Sequence, residues 1–504
     1  MNRQSSPTRA GFPFWLAHPA LLGCWQVLFL YHRNMGEYPM SAMIRPAVAM
    51  AIGCSLAAFI AKTILRNAHK AGLLISLWIL LAFSFGNLWS VLDGAIWHVG
   101  PLSLGCKKIA ALILIPPAII GGYFILRMKI QPATAGARVS KAAAVVVGVM
   151  WIVMAAQIGL GYIRRPQAQP PVADERVAAQ GPLPDIYFII LDGYGRSDVL
   201  KERFGFDNSA FLAELADRGF GVYQNARSNY VQTALSLACT MNLDYLDDVA
   251  SRAGAASNDR SHLRHIISDG RLWRILSGLG YRRVAFASGY EVTEIRGADF
   301  YISPEQTLTR FEHGLIDMTP LPALLNRLMP DRQYSVHRQR VIHAIEKLPA
   351  AADLDGPVFS FAHIICPHPP FVFDAQGEPI RPDKPYDDSD SIGPGGIPWS
   401  EYEKNYPAQI KFLNSRITAA IDKIYQKSSL AGKPQPIIII QGDHGPSAGN
   451  LDEVKPGKQS MRVRAGILSA CNYKGLDDSY EHSPVNVARG ILSGISSLKL
   501  APVC

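Results

Sequence analysis

Five stretches of about 20 mostly apolar residues, crowded into the first third of a 504-residue chain, restrict its fold more than any other feature. They run at about Phe12–Tyr31, Pro46–Leu65, Gly72–Leu92, Ile109–Leu126 and Ala142–Tyr162. Each is long enough to cross the hydrocarbon core of a bilayer as a helix. The first is the weakest, because His18 and Gln26 interrupt it. The fourth carries Pro116-Pro117, which a membrane helix accommodates as a kink. Trp89, Trp97, Tyr123 and Tyr162 fall near segment ends, where interfacial aromatics belong. The competing reading is the buried helical core of a soluble protein.

Loop charges set an orientation. With the N-terminus inside, Arg3, Arg9, Arg66, Lys70, Arg127, Lys129, Arg138 and Lys141 face the cytoplasm. The other side receives Arg33, Arg45, Lys107, Lys108, Arg164 and Arg165, a shallow positive-inside bias. An odd number of spans then exports everything after about residue 163. Further spans follow the first apolar stretch, so it does not read as a cleaved signal peptide. Residues 164–184, rich in Pro, Ala and Gln without an apolar period, read as a linker. The expected organisation is a transmembrane domain over 1–163, this linker, and an exported domain over 185–504.

The net charge of +9 raises nucleic acid as a partner, but Lys and Arg form no run or stripe, and much of the excess sits in short loops beside the apolar segments. No nucleic-acid role is expected. The seven cysteines show neither CxxC nor zinc-ribbon spacing. Cys24, Cys54 and Cys106 read as small core residues, whereas Cys239, Cys366, Cys471 and Cys504 lie where an oxidising compartment would permit disulfides of undetermined pairing.

The exported part opens with PDIYFIILDGYGRSD. Ile186–Leu191 is a continuous apolar run, the mark of a strand buried on both faces, and it ends in Asp192 between apolar strand and glycines. PIIIIQGDHGPSAG repeats the design, with strand Ile437–Gln441 leading into Asp443 and His444. PVFSFAHIICPHPPF gives a third strand, ending near His363 to His368, and YRRVAFAS a fourth. Helical stretches such as Ser209–Arg218 and Leu272–Leu279 lie between, so the domain is expected to be one doubly wound α/β sheet with helices on both faces. Acidic residues at the carboxyl ends of central strands stand where such sheets bind ligands.

Asp192, Asp443 and His444 offer two carboxylates and an imidazole, a donor set for one divalent ion, zinc or manganese. A fourth donor comes from SNYVQTALSLACTMN, where Thr233 precedes a small, apolar run that reads as a helix. A hydroxyl there sits in positive potential that favours an alkoxide and an incoming phosphate, and a metal would lower its pKa further. The plainer role for Thr233 is a helix cap, and for Asp192 a turn residue.

Together these motifs resemble the sulfatase-like branch of the alkaline-phosphatase superfamily, above all lipoteichoic-acid synthases and lipid A phosphoethanolamine transferases. Those families set five membrane helices before an exported catalytic domain. They keep an acidic ligand after the first strand, a Thr nucleophile about 40 residues later, and a late Asp-His pair; here the matching residues are Asp192, Thr233, Asp443 and His444. The T-A-x-S-x-P-C-M pattern of the transferases becomes Thr233-Ala-Leu-Ser236-Leu-Ala238-Cys239-Thr-Met241, with Ala for Pro and one inserted residue. His368 looks like the family's substrate-phosphate histidine, with His363 a competitor on the same strand. The transferases' further histidine, about a dozen residues past the Asp-His pair, has no counterpart in PSAGNLDEVKPGKQS, and His482 is remote. One metal site is therefore expected.

The resemblance implies a multi-pass enzyme of the bacterial inner membrane with a periplasmic catalytic domain. It would move a phospho-head group from a membrane phospholipid donor to an envelope glycan or lipid through Thr233. A hydrolase using water at the same site and a silent envelope regulator are the alternatives. A formylglycine sulfatase is disfavoured, since neither Thr233 nor Ser236 begins a C/S-x-P/A-x-R motif. The polar stretch FDAQGEPIRPDKPYDDSDSIGPGGIPWSEYEKNY reads as a surface loop, with a lid or acceptor site as the alternative. Arg227, Asn229 and Gln232 are candidates for substrate contact by proximity alone.

Overall fold

The computed structural model describes residues 13–35, 37–92, 96–99, 102–128, 135–164, 177–253, 260–304, 308–381, 386, 389–393, 396–447, 458–477 and 481–503. Most of the expected linker, Cys504 and the stretch after Ser447 lie outside these residues, as do Arg3, Arg9 and Lys129. The chain divides into two compact units: residues 1–165 with 308–328, and 166–307 with 329–504.

The first unit holds five helices long and apolar enough to cross a membrane. They are α1 (Phe14–Arg33), α2 (Ile44–Leu65), α3 (Ala68–Val91), α4 (Cys106–Arg127) and α5 (Ala135–Arg164), with a short antiparallel hairpin, β1 (Ile96–Val99) and β2 (Leu102–Gly105), between α3 and α4. Helix α1 packs against α2, α3 and α5, which explains its interrupted sequence. His18 and Gln26 are buried there, and His18 Nδ1 meets Ser76 Oγ of α3 at 2.7 Å. Polar side chains in a membrane bundle turn inward, because lipid cannot satisfy them. Gly72 lets α3 close on α1: a Cβ there would fall 2.2 Å from the Trp15 carbonyl oxygen. Pro116 and Pro117 lie within the unbroken span of α4.

The second unit is built on a seven-stranded sheet. Its strands are β3 (Ile186–Leu191), β4 (Gly221–Val222), β5 (Arg282–Phe286), β6 (Phe300–Ile302), β7 (Val358–Ile364), β8 (Ile437–Gln441) and β9 (Ser469–Cys471), in the spatial order β4-β9-β8-β3-β7-β5-β6. Strands β8, β3, β7, β5 and β6 run parallel, and β9 and β4 add an antiparallel edge. The helices in chain order are α6 (Ser197–Phe204), α7 (Ser209–Asp217), α8 (Thr233–Asn242), α9 (Asp247–Ala253), α10 (Ser261–Asp269) and α11 (Arg271–Gly278). Helices α12 (Arg310–Asp317) and α13 (Leu321–Leu328) belong to the first unit, and α14 (Arg332–Lys347) and α15 (Trp399–Leu430) return to the second.

Alternate residues of β3 feed two cores, as strand geometry requires. Tyr187, Ile189 and Leu191 pack with residues of α14 and α15, such as Val341, Ile410 and Ile417. Ile186, Phe188 and Ile190 pack with α8, α11 and the last helix, Pro484–Ile495. At the amino end of the sheet Asp185 accepts from Val358 N at 3.0 Å and pairs with Lys433 at 3.0 Å, tying β3 to β7. The last part of the expected linker is drawn into this unit: Gln180 N donates to the Ile495 carbonyl, and Val177 and Leu183 pack on the core. The exported domain, expected without interruption from 185 to 504, thus gives up 308–328. Phe311 and Leu315 of α12 are buried with Val27, Tyr31, Phe83, Met154 and Ile158, so their apolar surface is satisfied among the spans rather than on the sheet.

Candidate metal centre

The central strands β8, β3 and β7 are adjacent and parallel, so their carboxyl ends present three loops side by side. Asp192 follows β3, Asp443 and His444 follow β8, and His363 is the penultimate residue of β7, with His368 a few residues beyond. Ligand atoms of Asp192, Asp443 and His444 lie within 4.8 Å of one another, and all three residues are buried. His444 Nε2 stands 3.6 Å from Asp192 Oδ1 and 3.6 Å from Asp443 Oδ2. Thr233, the first residue of α8, brings Oγ1 to 3.3 Å from the same nitrogen.

The tautomer of His444 follows from its neighbour. Nδ1 lies 2.8 Å from the Gly445 carbonyl, which only accepts, so Nδ1 carries the proton and Nε2 offers a lone pair to the cluster. Among the described residues, Asp192 Oδ1 and Asp443 Oδ2 are buried without a hydrogen-bond partner. Two orphaned carboxylate oxygens, an imidazole lone pair and a hydroxyl around one point suit a divalent cation. Without one, two buried like charges would oppose each other. The donor set therefore fits one ion held by Asp192, Asp443, His444 and Thr233.

Close backbone approach builds this geometry. Gly193 adopts φ +72°, and its N–H donates to Asp443 Oδ1 at 3.0 Å, so the turn after β3 fixes the carboxylate after β8. A Cβ on Gly442 would meet the Tyr194 carbonyl oxygen at 2.4 Å, which is why a glycine precedes Asp443. Tyr406 of α15 braces the same turn: its hydroxyl donates to the Gly193 carbonyl at 2.7 Å and accepts from Gly195 N at 3.0 Å.

The two histidines of β7 and its loop divide the roles left open by the sequence. His363 Nε2 approaches Asp192 Oδ2 to 3.3 Å, and its Nδ1 meets Thr293 Oγ1 at 2.9 Å, so His363 orients the carboxylate from behind. His368 Nδ1 donates to the Pro369 carbonyl at 2.7 Å, and its ring lies 6.3 Å from that of His444. Burial works against the His368 imidazolium, but Asp192, Asp390 and Asp443 outweigh it and raise its pKa above 6.5. Burial would raise the Asp192 carboxyl, yet His368, His363 and His444 hold it well below the usual carboxylate range.

Thr233 is not a cap. Gln232 occupies the N-cap position without a side-chain cap bond, and the Thr233 hydroxyl faces His444 instead. Of the neighbouring candidates, Asn229 donates to the Tyr245 hydroxyl and accepts from Val485 N, and Arg227 lies 3.9 Å from Glu481. His482 stacks on Tyr223 with ring centroids 3.8 Å apart.

Sequence reasoning missed Asp390, Arg464 and Tyr406. Arg464 pairs with Asp390 at 2.5 Å and donates to the Val231 carbonyl at 3.3 Å, two residues before Thr233. Burial would raise the Asp390 carboxyl, but Arg464, with His368 and His444, brings it below its ordinary value. The polar stretch read as a surface loop therefore sends Asp390 to the centre. The only signal was its length and polarity. The six described cysteines, Cys24, Cys54, Cys106, Cys239, Cys366 and Cys471, are free thiols.

No family model and no curated protein matches the chain. Among solved structures it is similar to the integral membrane lipooligosaccharide phosphoethanolamine transferase A of Neisseria meningitidis, at 11% identity and TM-score 0.40, over 96% of this chain and 95% of that one. It is similar to the C-terminal periplasmic domain of EcEptC from Escherichia coli in complex with Zn, at 13% identity and TM-score 0.39, over 65% and 86%. A sulfatase described as putative, from Bacteroides thetaiotaomicron, is similar at 14% identity and TM-score 0.37, over 62% and 71%.

Proposed function

We propose that this chain is a membrane-anchored, divalent-metal-dependent transferase. In this reading it moves a phospho-head group, such as phosphoethanolamine or phosphoglycerol, from a lipid donor to an envelope glycan or lipid through a covalent intermediate on Thr233. The observation that carries it is the Thr233 hydroxyl, 3.3 Å from His444 Nε2 at the start of α8 and beside the orphaned oxygens of Asp192 and Asp443. A zinc or manganese ion held there would lower the pKa of that hydroxyl and neutralise charge on the phosphoryl oxygens. The five apolar helices support a multi-pass membrane protein, and this reading assigns it to the bacterial inner membrane with the sheet unit in the periplasm.

Thr233 loses its proton to water, and Oγ1 attacks phosphorus. The Oγ–P bond forms as the bond from phosphorus to the diacylglycerol oxygen breaks. His368, whose protonated form Asp390 favours, gives its Nε2 proton to that oxygen. The acceptor hydroxyl then returns its proton to His368 and attacks the same phosphorus, and Thr233 Oγ1 leaves and is reprotonated. The free N–H groups of the first turn of α8 and the Arg464 guanidinium give the equatorial oxygens a positive field. Anchoring to the bilayer raises the local concentration of a donor confined to it.

The experiment is mass spectrometry of the Thr233 peptide from protein purified gently out of its own membranes, paired with Thr233→Ala. An added mass on Thr233 is expected, its size naming the group. The Thr233→Ala protein is expected to lose transfer by at least about a thousandfold while keeping its far-ultraviolet spectrum. Retained turnover in that variant would sink the nucleophile assignment. Release of a free head group at full rate without acceptor would make the enzyme a hydrolase.

A further inference from the structure

Residues 308–328 lie in the middle of the sheet unit's sequence but belong to the helical unit. Helix α12 is seated on one end of the bundle. Phe311 and Leu315 pack with Val27 and Tyr31 near the end of α1, Phe83 of α3, and Met154 and Ile158 of α5. Glu312 pairs with Arg45 in the first turn of α2, and Asp317 lies within electrostatic reach of Lys107 in the first turn of α4. Side chains of α1, α2, α3 and α5 thus meet α12 at the end where α5 leaves the bundle. The chain therefore passes between the two units three times, after residues 165, 307 and 328.

Helix α13 follows after Thr319-Pro320. At 100° per residue Leu321, Leu324, Leu325 and Leu328 form one face, opposite Ala323 and Asn326. None of these leucines is buried, and Leu321, Leu324 and Leu328 are 43%, 52% and 66% exposed. Their height relative to the spans is fixed by the backbone. Gly86 N donates to the Met318 carbonyl at 2.8 Å. Gly86 stands five residues before the end of α3, about 7 Å along the helix axis. Leu321 is three residues past Met318, so its Cα lies at most about 11 Å from that of Met318. The stripe therefore begins near the level at which α3 ends.

We propose that α13 is an interfacial helix whose leucine face inserts into the lipid leaflet on the side from which α5 leads to the sheet unit. The occupant of the face is lipid because Met318, three residues before the stripe, is bonded to α3 at the end of the spans. Ile44 and Val48 of α2 and Val91 of α3, at the same end of the bundle, are likewise exposed apolar side chains. The loop 308–328 thus works as a second anchor, inserted within the sheet unit's sequence and separate from the α5 linker. Its value for catalysis rests on the proposed transferase reading, in which the donor is drawn from a lipid leaflet. Its geometry does not rest on that reading.

The test labels Leu324→Cys, and separately Leu328→Cys, with an environment-sensitive fluorophore in the full chain. The background carries Cys106→Ser and Cys504→Ser, because the other described cysteines are buried. The protein is reconstituted in vesicles of phosphatidylethanolamine and phosphatidylglycerol, with Ala323→Cys on the opposite face as reference. Lipid carrying a doxyl group high on its acyl chain is expected to quench the leucine-face labels at least about threefold more than the Ala323 label, with iodide doing the reverse. Iodide quenching equal to that of Ala323 would overturn the proposal by placing the face in water. Protection from both quenchers, with energy transfer between labelled chains, would overturn it by placing a second copy there. No turnover is read, so failure of the transferase reading leaves this result interpretable.

Discussion

In β3 all six residues from Ile186 to Leu191 are buried, whereas α2 leaves Ile44, Val48, Ile52, Leu56 and Phe59 exposed along its length. Both segments are apolar, and length separates them. A run of six is covered by helices on two faces of a sheet; a run of 20 or more, this exposed, needs lipid as solvent. Both units also turn polar side chains inward, with different results. In the bundle they are imidazoles, hydroxyls and amides, as in His18 with Ser76 and His69 with Ser140, and His18 Nε2 has no partner among the described residues. In the sheet unit they are two carboxylates with orphaned oxygens, a far more expensive arrangement unless a cation completes it.

The hardest blow to that contrast is Asp443→Asn. The amide oxygen still accepts from Gly193 N–H, so the turn after β3 is kept, while one of the two opposed charges is removed. We expect bound metal to fall to background and transfer to drop at least about a thousandfold, with the metal-free protein melting no lower than wild type. Elemental analysis and a melt in chelator check both. A clear loss of metal-free stability would mean that the carboxylate pair is structural, like the polar pairs of the bundle.

His363→Gln has a smaller expected effect, because His363 touches the carboxylate and not the ion. Groups that orient a liganding carboxylate in this way are worth about 10–100-fold in metal affinity. Competition with a chelator is expected to show that loss, and excess metal to restore most of the turnover. An unchanged affinity would leave His363 as core packing alone.

The spans, the central strands and the set Asp192, Thr233, Asp443 and His444 were legible in the sequence because each rests on a local pattern. A run of apolar length, a four-Ile strand and an Asp beside glycines all declare themselves within about 20 residues. Asp390, Arg464 and Tyr406 declare nothing locally. They reach the site from a polar loop and two helices through side-chain contacts spanning 74 residues or more, and the same composition suits a plain surface loop. The divided roles of His363 and His368 were hidden for a related reason. They are five residues apart, and only the register of β7 against β3 sets one behind Asp192. Helix α12 was missed because its apolar face has the period of any soluble helix; its partners are 150 residues or more away in sequence.

The attachment of α12 offers the mildest test of the two-unit contrast, since it depends on one partly buried ion pair. Burial would raise the Glu312 carboxyl, but hydrogen bonds from Arg45, the Thr309 backbone and the Thr309 hydroxyl bring its pKa below the ordinary 4.5. A depressed carboxylate pKa contributes stability above the unfolded value, and that contribution is lost as the pH falls through the folded value. Amide exchange over 309–318, corrected for intrinsic rates, is therefore expected to stay slow at neutral pH and to quicken below about pH 4.5. Arg45 is 61% exposed, so water screens its half of the pair. Glu312→Gln should accelerate exchange at neutral pH by only about three- to tenfold, on the order of 1 kcal/mol, and flatten the acid dependence. The capping box between Thr309 and Glu312 confines that loss to the first turn, because the glutamine still reaches back to the Thr309 N–H. Acid-induced exchange that persists unchanged in Glu312→Gln would show that apolar packing of Phe311 and Leu315 alone seats α12 on the spans.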